Sequence, residues 1–212
     1  MIQNPHSYLV IEGNIGSGKT SLSAMLSKEW NTNLVLEEFA DNPFLAKFYE
    51  SPDRYAFPLE LSFLSERFSQ LKKEWQQDLF QPKVIADYFI AKCSIFASNN
   101  LQNDEWQLFM KMYDLVSQQI PTPSLIVYLY VQTDRLQENI QKRGRAYEQN
   151  ISNEYLNNIQ NQYLQYFQQH PQLSVLMLDT TALDFVAKEE HYQAIKEKIV
   201  QPYTPGIHRF VL

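Results

Sequence analysis

Apolar residues fall into two kinds of run along this chain. The short ones, "YLVIE" (8–12), "NLVLE" (33–37), "KVIAD" (83–87), "SLIVYLYV" (124–131) and "SVLML" (174–178), are apolar at nearly consecutive positions and frequently β-branched. A strand covered on both faces needs that pattern, because each set of alternating side chains meets apolar neighbours. Longer stretches between them carry apolar residues three and four apart. From about Asp53 to Leu79, one helical face collects Leu61, Leu64, Phe68, Leu71 and Trp75. Similar patterns cover 89–99, 105–119, 133–142, 152–169 and 184–199. The alternation predicts an α/β fold, a three-layer sandwich with a five-stranded parallel sheet flanked by helices, whose ligands gather at the carboxyl ends of the strands. The glutamine-rich run "NNIQNQYLQYFQQH" keeps Ile159, Tyr163, Tyr166 and Phe167 at helical spacing and reads as an amphipathic helix. The tail "QPYTPGIHRFVL" (201–212) receives no assignment, since two prolines and a glycine precede its apolar end.

Composition narrows the picture. A chain of 212 residues, 44% hydrophobic, buries one sizeable core, so 1–212 reads as a single domain. The net charge of −6 argues against a surface for nucleic acid, which clustered Lys and Arg would have to hold. Cys93 is the only cysteine, and His6, His170, His191 and His208 are scattered without metal-ligand spacing. The first residues carry no basic segment leading into an apolar run, and no apolar stretch is long enough for a bilayer, so the expectation is a cytoplasmic protein without a membrane partner.

The chemistry begins at "VIEGNIGSGKTSL". Its loop, Gly13, Asn14, Ile15, Gly16, Ser17, Gly18, Lys19 and Thr20, satisfies G-x-x-x-x-G-K-[ST] between a strand and a helical pattern. Glycines let backbone N–H groups approach phosphates, Lys19 neutralises the β and γ groups, and the Thr20 hydroxyl suits a magnesium ion. The context supports ATP or GTP binding. Asp87, ending the third strand, stands where P-loop proteins place a carboxylate that helps hold the metal, although a helix N-cap is an equally simple reading. Glu37 and Glu38 leave the second strand on the same edge of the sheet, where a carboxylate can take the proton of an attacking hydroxyl.

From "EEFADNPFLAKFYESPDRYAFPLELSFLSERF" onward the sequence resembles the deoxyribonucleoside kinases, in particular the bacterial purine branch, from the P-loop to about Phe185. The resemblance implies that Glu37 is the general base for the sugar 5'-hydroxyl and that Tyr49 bonds the 3'-hydroxyl. It also sets Glu60 and Arg67 against the nucleobase. Periodicity alone leaves these two, seven residues apart, as a solvated pair on one helix face. An ionised Glu60 accepts from guanine N1–H and N2–H while Arg67 takes O6 and N7, which leans toward guanine; adenine needs a protonated Glu60 or a water. In "QKRGRAYEQ" the resemblance makes Arg143 and Arg145 the lid, about 142–150, over the transferring phosphoryl group, with Glu148 joining Tyr49 at the 3'-hydroxyl. Asp184 and Phe185 match the loop that packs on the donor base.

One departure stands out. The family's acid-Arg-Ser motif is here Asp87-Tyr88-Phe89, so Lys92, about one helical turn on, becomes the candidate for the missing positive charge in the substrate site, and Cys93 stands where relatives often carry an Asp that reads the base. The implied activity is ATP-dependent, Mg2+-assisted phosphorylation of a purine deoxynucleoside by a homodimer. A nucleotide kinase is the nearest rival, and a regulatory nucleotide-binding switch a more distant one.

Overall fold

The computed structural model describes residues 4–38, 42–77 and 83–212. Its sheet contains β1 (Tyr8–Gly13), β2 (Asn33–Val35), β3 (Val84–Ala86), β4 (Leu125–Tyr130), β5 (Ser174–Asp179) and β6 (Gly206–Val211). They are all parallel, in the order β2-β3-β1-β4-β5-β6. Strand order reverses around β1, which opens a crevice at its carboxyl end between β3 and β4. The P-loop leaves β1 at this point.

The two faces of the strands build two separate cores. Val10, Ala86 and Tyr128 pack on one side beneath α3 (Pro52–Gln77), α4 (Lys92–Asn100), α5 (Asn103–Ser117) and α7 (Asn153–Gln169). Leu9, Ile11, Ile85 and Val127 point the other way, against α1 (Lys19–Trp30) and α8 (Glu189–Ile199). Successive residues thus bury on opposite faces, which is why these strands are apolar throughout. Each such side chain removed from water contributes roughly 1.5–3 kcal/mol. A third cluster joins Leu136 and Ile140 of α6 (Thr133–Arg143) to Ile151 and Leu156 and holds that helix beside Ile15 of the P-loop.

Local signals set the helix ends. Pro52 opens α3, where its fixed φ suits the first turn and its missing N–H costs nothing. The Ser152 hydroxyl accepts from Tyr155 N at 3.1 Å and caps α7. Gly144 closes α6 in the left-handed region at φ 72°, so the chain turns sharply between the two lid arginines.

The sheet has six strands rather than the five expected. The extra one is the unassigned tail, where Gly206–Val211 pairs with β5 alone. At the edge of the sheet its side chains are only partly covered, with Arg209 and Val211 exposed, so it lacks the continuous apolar pattern of the inner strands. A short helix, α2 (Leu45–Glu50), was also not expected. The last helix starts at Glu189 rather than 184, because Asp184 instead turns the loop by accepting from Ala187 N at 3.0 Å. The second strand stops at Val35, and Leu36 to Glu38 follow as irregular chain. Phe39, Ala40 and Asp41 of the expected "EEFADNPFL" motif, and the Asp78–Leu79 end of the expected long helix, lie outside the described residues.

Candidate active site

The P-loop is a left-handed turn closed against a ring. Gly18, the residue before α1, has φ 90°, and a Cβ there would sit 2.7 Å from Cζ of Phe185. Glycine is required on both grounds. Phe185 is buried and braces the loop at Gly18, with Asp184 beside it at the rim of a cleft. That cleft runs from Gly16, Ser17 and Gly18 past Asn139 to Thr180. The Asn14 side chain does not reach it. It is turned inward, donating to Leu156 O at 2.7 Å and accepting from Ile15 N at 2.8 Å, so it anchors the loop to α7. Lys19 Nζ rests on Asn14 O at 2.9 Å, and burial followed by the nearby Lys92 pulls its ammonium down to about 8.

A second cleft opens on the other side of the same residues. Lys19, Thr20, Arg143 and Arg145 line both spaces, so the two meet at the P-loop lysine and the lid. Asp87 ties the junction together. Its Oδ2 accepts from the Thr20 hydroxyl at 2.6 Å and its Oδ1 from Glu37 N at 2.7 Å. One carboxylate thus couples the phosphate cradle to the loop after β2.

Glu37 turns into this second cleft between two cations. Its Oε1 accepts from Arg67 Nε at 2.8 Å and also from Arg67 Nη2, and its Oε2 accepts from Lys92 Nζ at 2.5 Å. Burial pushes its carboxyl up, but Arg67 and Lys92 outweigh burial and hold it well below the usual carboxylate range. Arg67 is therefore committed largely to Glu37, with Nη1 on Cys93 Sγ at 3.2 Å and its plane over the Phe63 ring at 4.5 Å. This ion pair spares Glu37 the cost, several kcal/mol, of an unpaired buried carboxylate. Glu60 lies on the buried face of α3 and not on a solvated one. Burial pushes its carboxyl up to about 7, against the opposing pull of Asn100 and Arg67.

Tyr49, Tyr147 and Glu148 form the far wall. Tyr49 and Tyr147 stack with ring centres 6.3 Å apart, and burial raises the Tyr49 phenol so that it stays a donor. Glu148, in a 3-10 turn at Ala146–Glu148, receives Arg145 Nη1 at 3.2 Å and Arg143 Nη2. The two lid arginines, each about a third exposed at 35% and 34%, are thus gathered by Glu148 at the junction of the clefts. The residues expected to handle the substrate, Glu37, Tyr49, Glu60, Arg67, Asp87, Lys92 and Glu148, all line this one cavity.

Comparison with known proteins decides which family this arrangement represents. The family model described as deoxynucleoside kinase matches residues 9–203. The chain belongs to the deoxynucleoside kinase family. It is 36% identical to the deoxyguanosine kinase of Bacillus subtilis (strain 168), with 93% of this chain and 100% of that protein covered. It is 32% identical to a deoxyadenosine kinase of Dictyostelium discoideum, covering 90% and 78% respectively. The fold matches a solved deoxyadenosine kinase from M. mycoides with bound dATP at a TM-score of 0.78, over 91% of this chain and 98% of that one, at 24% identity. This chain is accordingly a phosphotransferase, and no helix among its described residues is long and apolar enough to cross a membrane.

Sequence reasoning missed two polar residues of this kinase. Glu12, on β1 directly before the P-loop, is fully buried; it accepts from Tyr163 Oη at 2.8 Å, Gly13 N at 3.1 Å and Phe89 N at 3.3 Å. Burial raises its carboxyl, while Lys92 and Lys19 pull the other way. A charge inside the apolar run "YLVIE" was the available signal. Asn100, at the end of α4, carried no such signal, since a terminal asparagine is ordinarily solvated.

Proposed function

We propose that this deoxynucleoside kinase transfers the terminal phosphoryl group of ATP to the 5'-hydroxyl of a purine deoxynucleoside, deoxyguanosine or deoxyadenosine. The observation that carries the reading is the shared wall: Lys19, Thr20, Arg143 and Arg145 border both clefts, so a donor in one presents its terminal phosphate to an acceptor in the other. In-line transfer needs that arrangement. The purine choice is supported by the deoxyguanosine and deoxyadenosine kinases among the relatives and by Glu60 in the acceptor cleft.

Glu37 acts at the hydroxyl. Its Oε1 already accepts twice from Arg67, whereas Oε2 accepts only from Lys92 and keeps room for the 5'-OH. Because the two cations hold it ionised, Glu37 first orients the hydroxyl and takes its proton late, once bonding to phosphorus has acidified it. Lys92 then stands beside the developing charge and fills the place of the missing family arginine. Arg143 and Arg145 exchange Glu148 for the phosphoryl oxygens, which releases Glu148 to the 3'-hydroxyl beside Tyr49.

Mg2+ fits Thr20 and Asp87, since a hydroxyl and a carboxylate oxygen converge 2.6 Å apart at the cradle and magnesium prefers oxygen ligands. When bound it offsets phosphate charge. Among the described residues no group of three or more His, Cys, Asp or Glu side chains offers a protein-only cage, so phosphate and water oxygens would complete the shell. A homodimer, a cytoplasmic location and a role in purine salvage belong to the same reading and rest on family membership. A nucleotide kinase is disfavoured because ionised Glu37 would repel the acceptor's own phosphate.

The test is ATP-dependent phosphorylation across the four deoxynucleosides, the ribonucleosides and their monophosphates. Deoxyguanosine and deoxyadenosine are expected to react best. Activity confined to monophosphates would overturn the proposal.

A further inference from the structure

Among the described residues, the acceptor cleft contains one buried side-chain polar atom without a hydrogen-bond partner. Glu60 is 1% exposed, its Oε1 accepts from Asn100 Nδ2 at 2.6 Å, and its Oε2 has no hydrogen bond. An isolated buried carboxylate oxygen costs free energy that a ligand recovers by bonding it. The surrounding wall is apolar and aromatic, with Leu59, Phe63 and Phe96 beside it, which suits the faces of a flat heterocycle. Asn100 is itself held in one orientation. Its Oδ1 accepts from Asn99 Nδ2 at 3.0 Å, and its Nδ2 also lies 3.4 Å from Tyr155 Oη, so the amide NH2 faces the carboxyl.

We propose that Asn100 is a positioning residue for base selection: it clamps Glu60 Oε1 and leaves Oε2 for the purine edge, so that the protonation state of Glu60 selects guanine or adenine. The inference rests on the purine deoxynucleoside reading above. Ionised, Oε2 accepts from guanine N1–H and faces repulsion from the adenine N1 lone pair. Protonated, Oε2 donates to adenine N1, and its O–H meets the N1–H of guanine donor to donor.

The surroundings place this switch in a usable range. Burial raises the Glu60 carboxyl to about 7; the Asn100 hydrogen bond, Arg67 on α3 and Lys92 on α4 favour its ionised form, and Glu37 from the loop after β2 opposes it. Cys93 on α4 and Tyr155 on α7 also face it, and burial raises both, so they remain neutral near pH 7. Tyr49 of α2 lines the same cleft and is raised likewise.

The experiment measures kcat/KM for deoxyguanosine and deoxyadenosine over about two pH units centred on 7, for the unchanged enzyme, Asn100→Ala and Glu60→Gln. Effects on donor binding and the lid cancel in the ratio of the two substrates. Because ionised and protonated forms exchange tenfold per pH unit, the deoxyguanosine-to-deoxyadenosine ratio should rise by up to about a hundredfold across that span. In Asn100→Ala the midpoint should move to higher pH and favour deoxyadenosine, since a hydrogen bond to the ionised form is lost. In Glu60→Gln the ratio should become independent of pH. A flat ratio in the unchanged enzyme, measurable even if both variants fail to fold, overturns the inference while leaving the kinase reading intact. Phosphorylation of neither nucleoside overturns both.

Discussion

The donor and acceptor halves of this active site are built by opposite means. The donor half is a stretch of backbone: eight consecutive residues, Gly13 to Thr20, turned through left-handed glycines and braced by Phe185. The acceptor half is a set of buried charges from distant parts of the chain. Arg67 and Glu37 are 30 residues apart, Asn100 and Glu60 40, and Lys92 and Glu37 55. Backbone dipoles are fixed by local geometry and can be reused for any phosphate. Side-chain charges in a dry pocket depend on every neighbour, so substrate choice is tuned there.

Four changes test that contrast, taken from the largest expected effect. Glu37→Gln keeps the shape and removes the proposed proton acceptor; kcat should fall about 10²- to 10⁴-fold with KM for the nucleoside little changed. Steady-state kinetics checks this, and a change confined to KM would shift Glu37 from chemistry to binding.

Glu60→Gln probes the cost of burying charge. Its carboxyl lies near 7 when folded against an ordinary 4.5, so between those values the folded state holds a proton that the unfolded chain has released. Glu60 therefore weakens folding as pH rises through that window, and the loss persists above it. The variant should be more stable by about 3 kcal/mol near pH 8 and no different near pH 4, in denaturant titrations at both pH values. Equal stability at both would mean that Glu60 is not desolvated.

Lys92→Ala removes the cation on Glu37 Oε2 and should lower kcat about 10- to 100-fold, the usual worth of a charge-assisted hydrogen bond. Unchanged turnover would show that Arg67 alone supports Glu37. Gly18→Ala tests the donor half, where a strained φ and the approach to Phe185 should cost about 1–3 kcal/mol in stability and weaken ATP binding. The base preference of that variant should not move, because the ring that a Cβ there would meet is Phe185, on the donor side. A changed preference would break the proposed separation of the halves.

The sequence by itself determined the first five strands, their parallel arrangement and the phosphate cradle, because each rests on local pattern. Apolar runs, helical periodicity and a glycine loop between strand and helix all have short physical range. It also named the acceptor residues through resemblance, without saying how they pair. Tertiary structure decided the rest: that Arg67 serves Glu37 first, that Glu148 gathers both lid arginines, that Glu60 and Glu12 are dehydrated, and that the tail completes the sheet. Whether a charge meets a partner, and whether an edge finds a strand, are questions of contact between distant segments. Local patterns carry no record of that contact until the chain folds.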